Sequence, residues 1–159
     1  MPFQQHEQNG LVWFTADILN AIPHGFSTRL GGVSPAPWGS LNLRPNQGDG
    51  PEALRENYRR FFAVLGLDEN RAVLSQQTHT DHIRRVTEED AGKGVTRPRD
   101  YTDVDALITN VPNLPLTVFS ADCGTILLYD PVRQAVGAAH AGWRGCAAGI
   151  AAMAVRRLP

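Results

Sequence analysis

Apolar positions along this chain fall in short blocks separated by polar, breaker-rich stretches, and one block carries a clear helical period. "GLVWFTADIL" (10–19) and "HGFSTR" (24–29) favour strand, with Pro23 placing a turn between them. In "PEALRENYRRFFAVLG" (51–66), Leu54, Tyr58, Phe61, Phe62 and Leu65 recur on one helical face. Pro51 suits the first turn of that helix, Glu52 and Glu56 favour its N-terminal dipole, and Gly66 is a stop signal. Short β-favouring runs then recur at 72–76, 82–86, 106–109, 116–120, 125–130 and 135–140. Asp130-Pro131-Val132-Arg133 reads as the tight turn of a hairpin. From Gly142 the period becomes helical again, with Ile150, Met153, Ala154 and Leu158 on one face. Two polar stretches, 30–50 and 87–105, hold too many Gly, Pro, Asn and Asp for either element, and loops of that length in compact domains are commonly functional. The expected fold is α/β (α+β), a mixed β-sheet with packing helices, as a single domain over 1–159.

Charge and composition narrow the partners. Fifteen Lys+Arg against sixteen Asp+Glu leave a net charge of -1, so the footprint of a nucleic-acid binder is missing. The opening "MPFQQHEQNG" has neither a basic nor an apolar signal region, and no apolar run reaches membrane-spanning length. The expectation is a soluble, cytoplasmic protein with no nucleic-acid or membrane partner. Cys123 and Cys146 are too few for a disulfide framework.

Candidate chemistry lies at strand ends. His79 in "QQTHTDHI" follows one strand, Cys123 in "FSADCGTILLYD" lies at a break between two, and His140 ends a strand of small residues. Two imidazoles and a thiolate suit zinc (Zn2+), and three protein donors leave a fourth position open. The same residues also permit a metal-free scheme, with Cys123 as nucleophile, a histidine as base and Asp122 orienting it. Arg144 begins the second helix, where backbone N–H groups attract anions; Arg29 stands before Gly31-Gly32, whose amides are open to a phosphate. Cys146 faces an alanine-rich run and reads as core.

The ordered set "HGFSTRLGGVS", "SLNL", "QTHTDHI", "DALIT", "SADCGTILLYD" and "AAHAGWRGCAAGI" closely resembles the YfiH-like family, over roughly His24 to the last residue. That family carries older laccase-domain or multicopper polyphenol oxidase labels, is described as purine nucleoside phosphorylases, and includes a branch called peptidoglycan editing factor. The resemblance implies a catalytic zinc at His79, Cys123 and His140, an α/β fold with a central sheet sandwich, and phosphorolysis of adenosine and inosine with some adenosine deamination. Purine nucleoside and phosphate are then the partners; for that reaction our own reading of the residues takes Arg29, Gly31, Gly32, Asn42 and Arg144 as the binding set and Asp122 and Arg144 as the catalytic one. The runner-up is a Cys-His hydrolase acting on cell-wall peptide precursors, and a third reading is a non-catalytic zinc-stabilised domain. Two departures stand out: Thr80 replaces the family's usual glycine after the first histidine, and family members continue beyond the "HAGWRG" helix. A chain lacking that segment is expected to expose core surface and to self-associate. A multicopper oxidase is disfavoured, because five histidines with no His-x-His pair cannot build a trinuclear copper cluster.

Overall fold

The computed structural model describes residues 2–159 as a mixed α/β chain that divides into two compact units at Glu69–Asn70. The sequence pattern alone suggests one domain, because no linker composition marks this boundary.

In the N-terminal unit, β1 (Phe3–Gln8), β2 (Leu11–Ala16) and β3 (Phe26–Ser27) form an antiparallel sheet in that order. β1 is polar after Phe3, and the apolar pattern does not reveal it. Its pairing with β2 through a turn at Asn9-Gly10, both with positive φ, supplies the ordering. Helix α1 (Pro51–Val64) follows, with Tyr58, Phe61 and Phe62 buried as the periodicity requires. Glu56 departs from the expected dipole role and instead holds Arg59 and Arg60, at 2.7 Å each.

Asn57, also buried, orders the long loop before the helix. Its Oδ1 accepts the Val33 amide at 2.8 Å, and its Nδ2 donates to Ser34 Oγ and the Asn42 carbonyl, each at 2.8 Å. The double glycine is a backbone crossing: a Cβ at Gly31 would lie 2.3 Å from Leu11 Cα, and one at Gly32 2.1 Å from the Ser40 carbonyl oxygen. Only glycine permits so close an approach.

The C-terminal unit holds a parallel pair, β4 (Val73–Leu74) with β7 (Leu116–Thr117), and a four-stranded mixed sheet. That sheet runs β5 (Ile83–Arg85), β6 (Ala106–Thr109), β9 (Ala135–Ala141), β8 (Gly124–Asp130). β8 and β9 form the expected hairpin, and Asp130 Oδ1 accepts the amides of Val132 and Arg133 in its turn. On one face Ala106, Ala139 and Ala141 pack against Ile150; Val73, Val86, Val104, Leu107 and Leu114 form a second cluster. Since Leu107 lies opposite Ala138 and strand side chains alternate, His140 projects from the face away from Ile150.

The C-terminal helical stretch is two helices. α2 (Trp143–Ala148) ends at Gly149, whose φ of 83° is left-handed, and α3 (Ile150–Arg157) restarts from it. Cys146, expected in the core, is exposed on α2, because the break turns this short helix's outer face to solvent. Within the 87–105 loop, buried Asp90 and Lys93 pair at 2.7 Å, with Asp100 on Lys93 and Arg84 on Asp90. Burial pushes the Asp90 carboxyl up, but the Lys93, Thr87 and Arg84 hydrogen bonds outweigh it and hold the group at about 2. No helix among the described residues is long and apolar enough to cross a membrane.

Candidate metal centre

His79, Cys123 and His140 arrive from three separate segments of the C-terminal unit, and their donor atoms all lie within 4.8 Å of one another. His140 is buried, Cys123 half-buried and His79 exposed, so the cluster opens at one side. The His79 and His140 rings meet edge to face with centroids 4.9 Å apart.

Each segment is held by named contacts. His79 sits at φ 66°, a left-handed conformation that costs a non-glycine residue on the order of 1 kcal/mol or more. The turn is stabilised by successive amides of Thr78, His79 and Thr80, which donate to the Asp105 carboxylate at 2.9, 3.1 and 3.1 Å. Thr80, the departure from the family's glycine, adds its hydroxyl to the same carboxylate at 3.1 Å. Gln77 ties this segment to the one carrying Cys123: its amide donates to the Phe119 carbonyl and accepts the Phe119 N–H, both at 2.7 Å. Ser120 Oγ donates to the Cys123 carbonyl and closes the turn. His140 is fixed by the sheet, by its own N–H on the Asp105 carbonyl at 2.8 Å and by Nδ1 on the Asp105 carboxylate at 2.7 Å.

Gly142 lines the centre from the fourth side. A Cβ there would stand 2.9 Å from His79 Cδ2, 3.4 Å from Cys123 Sγ and 3.5 Å from His140 Cε1, so glycine keeps this space open.

The electrostatics separate the groups. Burial pushes the Cys123 thiol up, and the Asp122 carboxylate beside it pushes in the same direction. Burial also works to raise the Asp105 carboxyl, but the hydrogen bonds from His140, Thr78 and Thr80 hold it below the usual carboxylate range.

The residues fit a metal ion. In a tetrahedral zinc shell with bonds of about 2.0–2.3 Å, donors stand roughly 3.3–3.7 Å apart. The observed spread needs only a modest contraction, which the exposed His79 ring supplies by side-chain rotation. Two imidazoles and one sulfur are a borderline-soft set.

The remaining predicted residues are placed elsewhere or used otherwise. Arg144 is exposed with its guanidinium 5.3 Å from the centre of the Trp143 ring; α2, at six residues, contributes little dipole. Asp122 is exposed beside Cys123. In the N-terminal unit, Arg29 donates through Nε and Nη2 to the Gly39 carbonyl, at 2.9 and 2.6 Å. The Gly32 amide donates to Ser40 Oγ at 3.1 Å, so it is engaged within the loop, and Asn42 Nδ2 donates to Asp49 at 2.9 Å. Outside the centre, His6 stacks on Trp13 and His24 bridges the Ala16 amide and the Ile22 carbonyl.

Sequence reasoning missed Asp105, Gln77 and Gly142. Asp105 carried two signals: it opens the "DALIT" motif, and it is an acid directly before the wholly buried "ALIT" strand, which needs a partner. Gln77 carried none.

Fold and site together define a mixed α/β protein with a three-donor nitrogen and sulfur centre at its strand ends. The model of a family described as multi-copper polyphenol oxidoreductase laccase matches residues 23–159, and the chain belongs to that family. It is 40% identical over 144 residues, 91% of this chain, to a Streptomyces griseus protein named purine nucleoside phosphorylase ORF3. It is 38% identical over 124 residues, 78% of this chain, to purine nucleoside phosphorylase YfiH of Escherichia coli. A crystal structure of a Bacillus licheniformis hypothetical protein YfiH superimposes with a TM-score of 0.87 at 36% identity, covering 98% of this chain and 57% of that one. YlmD from Geobacillus stearothermophilus gives 0.77 at 32% identity, with 97% and 57% covered. The resemblance to YfiH-like proteins therefore holds for both sequence and fold. The chain spans about half the length of the curated relatives it matches, 56% and 47% for the two named above.

Proposed function

We propose that this chain carries the zinc centre of a purine nucleoside phosphorylase. The observation that carries the reading is the convergence of His79, Cys123 and His140 within 4.8 Å, in a chain whose relatives are named for that activity. Zinc, when bound, supplies Lewis acidity at the open side of the cluster.

In phosphorolysis an oxygen of phosphate forms a bond to the ribose anomeric carbon while the bond to the purine nitrogen breaks. The electron pair leaves on the base, which takes a proton, giving ribose 1-phosphate and free purine. Asp122, exposed beside Cys123, is the carboxylate assigned to proton transfer or orientation. Arg144 presents an exposed guanidinium two residues beyond Gly142 and is assigned to the phosphate. In the N-terminal unit, Arg29 is the anion contact to be tested separately; Gly31, Gly32 and Asn42 serve by shaping the loop that carries it. Adenosine deamination is a side reaction of the same centre in this reading.

Purified protein should bind zinc one to one by elemental analysis, and should release hypoxanthine from inosine only when phosphate is added. Zinc-loaded protein that shows no phosphate-dependent release sinks the phosphorylase reading. Stoichiometric zinc that is lost in Cys123→Ala would rule out the metal-free Cys-His hydrolase, in which Cys123 is a free nucleophile.

A further inference from the structure

We infer that Asp105 is a positioning residue that sets both histidine donors at once: it selects the tautomer of His140 and locks the turn that presents His79. The inference rests on the metal-holding part of the proposed function, and nothing in the chain's own motifs assigns Asp105 a role.

Asp105 is fully buried at the start of β6. Its Oδ1 receives His140 Nδ1 at 2.7 Å and the His79 amide at 3.1 Å. Its Oδ2 receives the Thr78 amide at 2.9 Å, and the Thr80 amide and hydroxyl at 3.1 Å each. An ionised carboxylate only accepts, so every group facing it must donate. A neutral His140 ring therefore carries its proton on Nδ1 and keeps the lone pair on Nε2, the form that ligates a metal. The same acceptor gathers three consecutive amides and so holds His79 in the left-handed conformation it adopts at φ 66°. One buried group thus prepares two donors that lie 61 positions apart in the chain.

Replacing Asp105 by asparagine keeps the size and reverses one polarity. The Oδ2 position faces three donors, so the asparagine carbonyl takes that place and its NH2 turns to His140, leaving the His79 amide without its acceptor. Nδ1 must then accept, the proton moves to Nε2, and the ligating lone pair is lost. Thr80→Ala removes one of the five donors and leaves His140 untouched, which separates support of the turn from choice of tautomer.

The test uses the 159-residue chain labelled with 15N, freed of metal by chelation and held above the imidazole titration range. Long-range 1H–15N correlation spectra report each histidine tautomer, and competition with a chelating indicator reports zinc affinity. Expected are an Nδ1–H His140 in wild type, an Nε2–H His140 in Asp105→Asn, and zinc binding weakened by about 10–100-fold in that variant. Thr80→Ala should keep the Nδ1–H form. An Nε2–H His140 in the wild-type chain, or Asp105→Asn with wild-type zinc affinity, overturns the assignment. Should Asp105→Asn fail to fold, the wild-type and Thr80→Ala spectra decide it. A wild-type chain that takes up no zinc counts against the proposed zinc centre, and the His140 tautomer still decides the role of Asp105.

Discussion

Gly142 shows how a single missing side chain shapes the centre. Its φ of -68° suits any residue, so glycine is required there for space and not for backbone conformation. In Gly142→Ala the new methyl would meet His79 Cδ2 at 2.9 Å. Overpacking of this kind costs about 1–3 kcal/mol, and here it falls on the ring that must move to close the shell. Zinc affinity should drop while the far-ultraviolet circular dichroism of the chain stays unchanged. Asp90 supports a second residue-level prediction. Its folded pKa of about 2 lies below the ordinary 3.8, so its stabilisation is fully present above the unfolded value and is lost as pH falls through the folded one. For a buried carboxylate, a shift of this size corresponds to about 2 kcal/mol. Thermal melts between about pH 5 and pH 2 should show a falling Tm. In Asp90→Asn the melting temperature should be lower near neutrality and the acid slope flatter; an unchanged slope would remove Asp90 from the account.

Elements position the site through a few side-chain bonds that carry strand pairing beyond the ends of the ladders, as beyond the short β4–β7 pair. The Gln77 amide reproduces a strand pair by giving and taking one bond with the Phe119 backbone, both at 2.7 Å. Gln77→Ala leaves those backbone groups without their partners, at a cost of about 1–3 kcal/mol. Chelator competition should find weaker zinc binding in this variant even though no donor has been touched. In the N-terminal unit α1 relies on its apolar stripe, and Phe62, 4% exposed, is its most buried aromatic beside Tyr58. Phe62→Ala should lower stability by about 3–5 kcal/mol in denaturant titration. That measurement also addresses the unit boundary: if the units unfold separately, only the transition of the N-terminal unit should shift.

At the scale of the molecule, family membership and fold are shared with longer proteins, of which this chain covers 56% and 57%. Cys123→Ser and His140→Ala should each abolish stoichiometric zinc by elemental analysis, whatever the outcome of the nucleoside assay. Loss in neither variant would separate the metal from this cluster altogether.

The periodicity of residues 51–66, the "DPVR" turn and the apolar runs of β6, β8 and β9 determined those elements, because burial of one helical stripe or of a whole central strand leaves its mark on each local stretch. The donor types of His79, Cys123 and His140 and their motifs likewise pointed to a metal before any coordinates. The polar strand β1, the break at Gly149 and the exposure of Cys146 were not legible, since pairing partners and left-handed φ values are settled by what packs nearby. Arg29 with Gly31 and Gly32 read as an anion cradle on composition, with Asn42 added only as a binding residue of the implied reaction, whereas the structure engages the Gly32 amide and the Asn42 side chain internally. Only the tertiary structure decided what surrounds the donors. Asp105 gathers two histidine segments because β6 lies beside β9, and Gly142 opens the cluster because the chain turns there from strand to helix. Such contacts join residues far apart in sequence, and no local pattern records them.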